Sequence, residues 1–229
     1  MGGQISSVIA ATFPERVNRA FMIDGFAAEG TYSDEDRVAG NRQAMEKMLT
    51  GHTRPAKIFE NTFRQVNIAL VNEFAQIADA LGISGREVLD AAATKPYGFM
   101  EFNPGPGVGG HCIPVDPLYL TWWGRQSGAH ANFVESADLI NRQMPKFVAE
   151  RALNMVEKKT DSPRVLILGV AYKPGVADVR ETPATELRNY LISTGATVAW
   201  HDPLVSTWEE STSASLDWDC DVAILATMQ

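Results

Sequence analysis

Between Ala56 and Leu81 the apolar residues Phe59, Phe63, Val66, Leu70, Phe74, Ile77 and Leu81 recur at steps of three and four. That is the period of one face of a helix, so the spacing predicts a single long helix, stopped by Gly82. Ser84-Gly85-Arg86-Glu87 has the form of a capping box and opens a second helix that reaches about Ala93. Residues 94–115 then lose all periodicity and fill with glycine and proline. A loop of that length inside a compact domain is usually functional or disordered. Three aromatic residues, Tyr97, Phe99 and Phe102, are expected to anchor it and argue against disorder. Helical pattern resumes at about Pro117–Gln126 and again from Asn132 to Lys158, where Pro145 is expected to kink or split the helix.

After Asp161-Ser162-Pro163, which reads as a linker, the period changes. Arg164–Val170 is a continuous apolar run of the kind found in a buried strand. Thr182 as N-cap, Pro183 in the first turn and Gly195 as stop bracket a helix to Ser193. Thr197–Trp200 and Val222–Leu225 are further strands. Strand, helix, strand in that order predicts a right-handed parallel unit. Residues 1–53 are polar and weakly patterned, with a strand over Ser6–Ala11 and a helix near Ala39–Leu49 as the only expectations. The fold class is therefore α/β: a loosely packed opening at 1–53, a mainly helical domain at 54–160 and a parallel α/β domain at 163–229.

Composition narrows the function. Hydrophobic residues are 45% and charged residues 21% of 229, a globular balance. A net charge of −8 argues against nucleic acid and anionic membrane as partners, although a few local cations can still hold a small anion. No apolar run approaches the roughly 18 residues that span a bilayer. The opening Met1-Gly2-Gly3-Gln4 lacks the cation of a signal peptide, and the chain has only two cysteines, so a reduced, cytoplasmic protein is expected.

Three constellations carry candidate chemistry. In Gly105-Pro106-Gly107-Val108-Gly109-Gly110-His111-Cys112 the glycines allow a tight turn and expose amides, and Cys112 at the end could be a nucleophile or simply a filler. His111 is its neighbour, but four histidines without a second Cys/His cluster give no metal set. Cys220, among Asp217, Asp219 and Asp221, reads as structural. On the long helix Lys57 and Asn61 share a face that Arg64 continues, which is either a donor pair for an oxyanion or a solvated stripe. In Gly169–Glu181 a loop follows a strand and precedes a helix, where α/β sheets hold ligands, and Lys173 and Arg180 supply positive charge. The glycine fingerprint of a dinucleotide site is missing from this loop: Ala171 stands where its second glycine would be.

Glu60–Arg64 with Asn67–Glu73, then Gly105–Asp116, then Gly169–Pro183 occur in one order that resembles the nucleotide-sugar 6-dehydrogenases, the UDP-glucose/GDP-mannose dehydrogenase family. The bacterial UDP-N-acetylhexosamine branch is the most similar, and Pro117–Trp122 favours the N-acetylglucosamine over the N-acetylmannosamine type. The resemblance implies a helical central domain that dimerises through its long helix and a Rossmann-like UDP-sugar-binding domain. It implies NAD-dependent oxidation of a sugar C6 alcohol to a carboxylate, through a cysteine-bound thioester, for surface polysaccharide synthesis. By matched motif, Cys112 is the nucleophile, Asp116 handles protons and water, Lys57 and Asn61 stabilise oxyanions, and Glu15 assists thioester hydrolysis. Gly105, Gly107, Gly109, Gly110, Lys95 and Lys173 contact the UDP-sugar, and Arg180 reaches NAD. No metal is implied. Family members open with a nicotinamide-binding domain that the first 53 residues do not resemble, so the expectation is a chain lacking most of the NAD site. The alternative is an inactive fragment that keeps UDP-sugar binding and dimerisation.

Overall fold

The computed structural model describes residues 53–156 and 161–227. The strand and helix expected before residue 53, and Glu15, lie outside the described residues. Helix α1 spans Thr53–Leu81 and α2 spans Gly85–Ala93. Of the capping box only the serine half forms, the Glu87 amide donating to Ser84 Oγ at 3.3 Å. Helix α3 is Asp116–Gln126 and α4 is Asn132–Asn154. Strand β1 (Arg164–Leu168), helix α5 (Pro183–Ser193) and strand β2 (Thr197–His201) follow, then β3 (Thr207–Trp208), β4 (Ser211–Thr212) and β5 (Val222–Leu225).

Helix α1 has two contrasting faces. Its buried face is mostly small or polar, Thr62, Gln65, Ala69, Asn72 and Ala78, with Ile58 and Val71 as its larger apolar members. Most of the apolar series that betrays the helix in the sequence lies outside, with Phe59, Phe63, Leu70, Ile77 and Leu81 between 44% and 67% exposed. Periodicity detects a helix but does not say which stripe turns inward.

The chain divides into two compact units. In one, the start of α1 to Phe63 joins Val115–Ala131; here α1 buries Ile58 and Thr62, and α3 buries Pro117, Leu118, Thr121 and Trp122. The other takes Arg64–Pro114 and the chain from Asn132 onward. Its sheet has the order β2-β1-β5, with β1 parallel to both neighbours. Being central, β1 buries Val165, Leu166 and Ile167, which is why its sequence runs apolar without alternation. Ala149 and Ala152 of α4, Leu187 and Leu191 of α5, Trp200 and Ile224 complete this core. Thr182 caps α5 by accepting from the Ala184 amide at 3.3 Å.

The structure departs from the sequence expectations, or adds to them, at three points. Pro145 does not split α4, which runs through it. Proline has no amide to give the carbonyl of Asn141 four residues back, and tertiary packing carries the helix past the lost bond. Of the three aromatic anchors, only Phe102 is buried, against Val71 and Leu89, while Tyr97 and Phe99 are exposed. The β3–β4 hairpin is absent from the sequence reading. Its turn residues Glu209 and Glu210 both have positive φ, 48° and 59°, a conformation that glutamate does not advertise.

Candidate active site

In the first unit the structure brings together two residues that the motifs single out. Asn61 Nδ2 donates to Asp116 Oδ2 at 2.6 Å, in a partly buried setting. Asp116 opens α3, where a carboxylate is favoured by the unpaired amides of the first turn. The bond leaves Asn61 one further amide hydrogen to give. Lys57, one turn before Asn61 on α1, is exposed.

The second unit holds the glycine loop and Cys112, which is half-buried and in no disulfide. Most of the glycines are explained by what they touch. A Cβ on Gly109 would stand 2.8 Å from the Glu181 carbonyl, 2.8 Å from Tyr172 Cβ and 2.9 Å from Pro183 Cδ. One on Gly110 would strike the Tyr172 ring at 2.9 Å, and one on Gly107 would lie 3.1 Å from the Asn141 carbonyl oxygen. The loop that ends in the cysteine is thus pressed onto the loop after β1 and onto α4. Gly105 has open space beside it.

A buried relay of carboxamides fixes the near end of this loop. The Gly105 amide donates to Asn72 Oδ1 (2.9 Å), Asn72 Nδ2 donates to Asn141 Oδ1 (2.9 Å), and Asn141 Nδ2 donates to the Gln65 carbonyl (3.0 Å). An amide N–H can only donate and a carbonyl can only accept, so the two backbone ends set the orientation of both asparagines. Sequence reasoning gave Asn72 and Asn141 no role. The available signal was a poor helix former in the middle of each long helix.

The same unit contains a cleft of about 730 Å³ at the carboxyl ends of β1 and β5. Gly105, Gly107 and Lys173 line it, with Arg64, Arg86 and Arg151 as further cations and Phe74, Leu89 and Phe147 among the apolar walls. Its size is that of a small-molecule site, and its place is where open α/β sheets hold ligands. Gly109, Gly110, Cys112 and Lys95 are not among its lining residues. Lys95 is exposed just beyond α2. Arg180 is folded onto Asp178, Nε to Oδ1 at 2.9 Å and Nη2 to Oδ2 at 2.6 Å. This contact, aided by His111, holds the Asp178 carboxyl below the usual range.

The described residues do not fit a nicotinamide dinucleotide. In sheets that bind one, an acidic side chain near the end of the second strand is left open for a ribose hydroxyl. Here that residue is Asp202, 2% exposed. Its Oδ2 accepts from the amides of Val170 and Ala171, and its Oδ1 from those of Leu204 and Val205. The space beside Gly169, where a pyrophosphate would approach, is filled by the Thr227 carbonyl. The carboxylate ties two loops together instead. Among the described residues no group of three or more His, Cys, Asp or Glu could hold a metal ion, and no helix is long and apolar enough to cross a membrane.

Comparison with known proteins agrees with this arrangement. Residues 54–143 match the central domain, and residues 166–228 the UDP binding domain, of the UDP-glucose/GDP-mannose dehydrogenase family. A UDP-N-acetyl-D-mannosamine dehydrogenase of Methanocaldococcus jannaschii is 42% identical over 177 residues, 74% of this chain and 40% of that protein. A UDP-N-acetyl-D-glucosamine 6-dehydrogenase of Pseudomonas aeruginosa is 39% identical over 154 residues, 66% of this chain and 36% of that protein. The structure of a UDP-D-ManNAc dehydrogenase from Pyrococcus horikoshii superposes with a TM-score of 0.65 at 34% identity, over 76% of this chain and 41% of that one. The chain thus spans about two fifths of the length of such relatives. With a helical central region, a parallel α/β region and both matched domains in family order, the chain belongs to the UDP-glucose/GDP-mannose dehydrogenase family of oxidoreductases.

Proposed function

We propose that the chain forms the sugar-nucleotide-holding and thiol-bearing part of a UDP-N-acetylhexosamine 6-dehydrogenase, which oxidises the C6 alcohol of its substrate to a carboxylate. The observation that carries this reading is the cleft at the strand ends, lined by Lys173 and by the first glycines of the loop that leads to Cys112. Lys173 neutralises the diphosphate, and the glycine loop, fixed by Asn72, sets where the thiol stands. NAD supplies the hydride acceptor; of the described residues Arg180 is the one assigned to reach it, and the rest of its site lies outside them.

The protein's own steps are an addition and a hydrolysis. Cys112 Sγ, as thiolate, forms a bond to the C6 aldehyde carbon, and the carbonyl electron pair moves onto oxygen. Lys57 Nζ and the remaining Asn61 amide hydrogen are the donors for that oxyanion, where a fixed donor is worth most. At the thioester stage Asp116, assisted by Glu15, takes a proton from water. The water oxygen bonds to carbon, the C–S bond breaks and the thiolate returns. Pro117–Trp122 at the start of α3 supports the N-acetylglucosamine epimer. The exposed stripe Phe59, Phe63, Leu70, Ile77 and Leu81 supports a homodimer through α1 in a cytoplasmic enzyme.

Calorimetric titration with UDP-N-acetylglucosamine and UDP-N-acetylmannosamine tests the binding half, and NADH formation on adding NAD tests the catalytic half. Binding, with turnover abolished by Cys112→Ala, is the expected result. Absence of sugar-nucleotide binding would overturn the reading. A second reading, a binding module without turnover, is favoured by the saturated Asp202, and predicts binding without NADH.

A further inference from the structure

The loop after β1 is clamped by its backbone. Val170 and Ala171 are fully buried, and both amides donate to Asp202 Oδ2, at 2.9 and 3.3 Å. The Ala171 carbonyl accepts from Thr227 Oγ1 at 2.7 Å, and the Tyr172 amide donates to the Asp178 carbonyl at 3.0 Å. Asp202 directly follows β2, whose His201 pairs with Leu168 of β1, so its carboxylate stands beside the root of the loop. Its other oxygen accepts from Leu204 and Val205 in its own segment. Burying a carboxylate is costly, and these four amides offset that cost.

The clamp ends at the Tyr172 side chain, and the cysteine loop lies against that side chain. A Cβ on Gly109 would meet Tyr172 Cβ at 2.8 Å, and one on Gly110 would meet ring carbons Cε2 and Cδ2 at 2.9 and 3.0 Å. These are the residues three and two before Cys112, which is half-buried. We infer that Asp202 is a positioning residue for the Cys112 thiol, acting through Tyr172. The inference rests on the reading of Cys112 as the nucleophile. Asn72 fixes the near end of the cysteine loop at Gly105, and Asp202 fixes the far end, where the sulfur stands. The acidic place that other α/β sheets open to a ribose here sets the seat of a thiol.

The test uses the full chain in a Cys220→Ser background, where Cys112 is the one thiol left. Its rate of reaction with a disulfide reagent is followed without urea. Asparagine at 202 keeps the local turn to Leu204 and turns its NH2 toward the amides of Val170 and Ala171, which it cannot serve as an acceptor. Asp202→Asn should therefore loosen the seat and raise the rate about 10-fold, the worth of one hydrogen bond lost from a charged group. Tyr172→Leu, at a half-buried position, removes the ring and should raise the rate to a similar extent; it carries the test if Asp202→Asn does not fold. The double variant should be no faster than the faster single one, because both release the same seat. Leu187→Ala, in the core of the same unit, should lower the urea midpoint yet leave the rate within about twofold. A rate within about twofold of the parent in Asp202→Asn or in Tyr172→Leu would overturn the inference. So would a rise in Leu187→Ala equal to that in Asp202→Asn, which would make the effect one of general destabilisation. Either result, with UDP-N-acetylhexosamine binding retained by the parent, would leave the sugar-nucleotide reading standing. A parent that binds no such sugar nucleotide would remove both.

Discussion

Replacing Asn72 by alanine tests whether the carboxamide relay holds the cysteine loop. Asn72 is fully buried, and its side chain serves two partners, the Gly105 amide and Asn141 Oδ1. Truncation leaves both without a mate. An unsatisfied buried polar group costs about 1–3 kcal/mol. Asn141 is 3% exposed and bears the full cost, while half-buried Gly105 recovers part of its own from water. The expected loss is therefore about 2–4 kcal/mol, a large share of a domain's roughly 5–15 kcal/mol. Asn141→Ala should cost about 1–3 kcal/mol, because the Gln65 carbonyl sits within helix α1 and keeps its helical partner. Both variants delete the same Asn72–Asn141 bond, so the double variant should lose less than the sum by about 1 kcal/mol or more. Urea unfolding followed by circular dichroism, with an unchanged m value, measures all four corners. Costs that add to within about 0.5 kcal/mol would refute the relay. In a Cys220→Ser background, Asn72→Ala should also change the rate at which Cys112 reacts with a disulfide reagent; an unaltered rate would detach the relay from the thiol.

Gly109→Ala should destabilise by several kcal/mol, because its Cβ meets backbone and ring atoms at 2.8–2.9 Å, whereas Gly105→Ala, with open space, should change stability by less than about 0.5 kcal/mol; urea midpoints compare them. Glu209→Asn with Glu210→Gly should raise stability by about 1 kcal/mol in the same assay by relieving two left-handed glutamates, and no gain would mean that the hairpin turn is unstrained. The Asp178 carboxyl is held low by Arg180, so its contribution to stability is complete above the unfolded carboxyl's value and is lost as pH falls through the lowered folded value. Asp178→Asn should flatten the acid limb of the stability–pH curve and leave the neutral region's slope alone; an unchanged acid limb would refute the pairing.

Much of the architecture was legible because local signals agreed. The Ser84 N-cap, the Thr182–Pro183 start and the unalternating run at Val165–Ile167 each have one physical cause, and each formed as read. What stayed hidden depended on partners far along the chain. Whether Phe59 or Ile58 faces inward is decided by what covers α1, not by their spacing. The glycines of the cysteine loop read as amides bared for an anion, yet three of them are also required by Tyr172, Glu181, Pro183 and the Asn141 carbonyl. The pairing of Asn61 with Asp116 joins two motifs that the sequence only set in order. Polar burial at Asn72 and Asn141 leaves no hydrophobic signature at all.

Pro145 and Gly107 constrain each other. Because the proline has no amide hydrogen, the Asn141 carbonyl lacks the usual helical bond from position 145, and its oxygen is one of two atoms, with Pro183 Cβ, on which a side chain at position 107 would intrude. An ordinary residue at 145 would draw the oxygen back into the helical ladder and alter the seat of the loop, while a larger residue at 107 would collide with it as it stands. Substitutions at these two positions should therefore act on one oxygen and give non-additive effects, so engineers of this scaffold should vary them jointly.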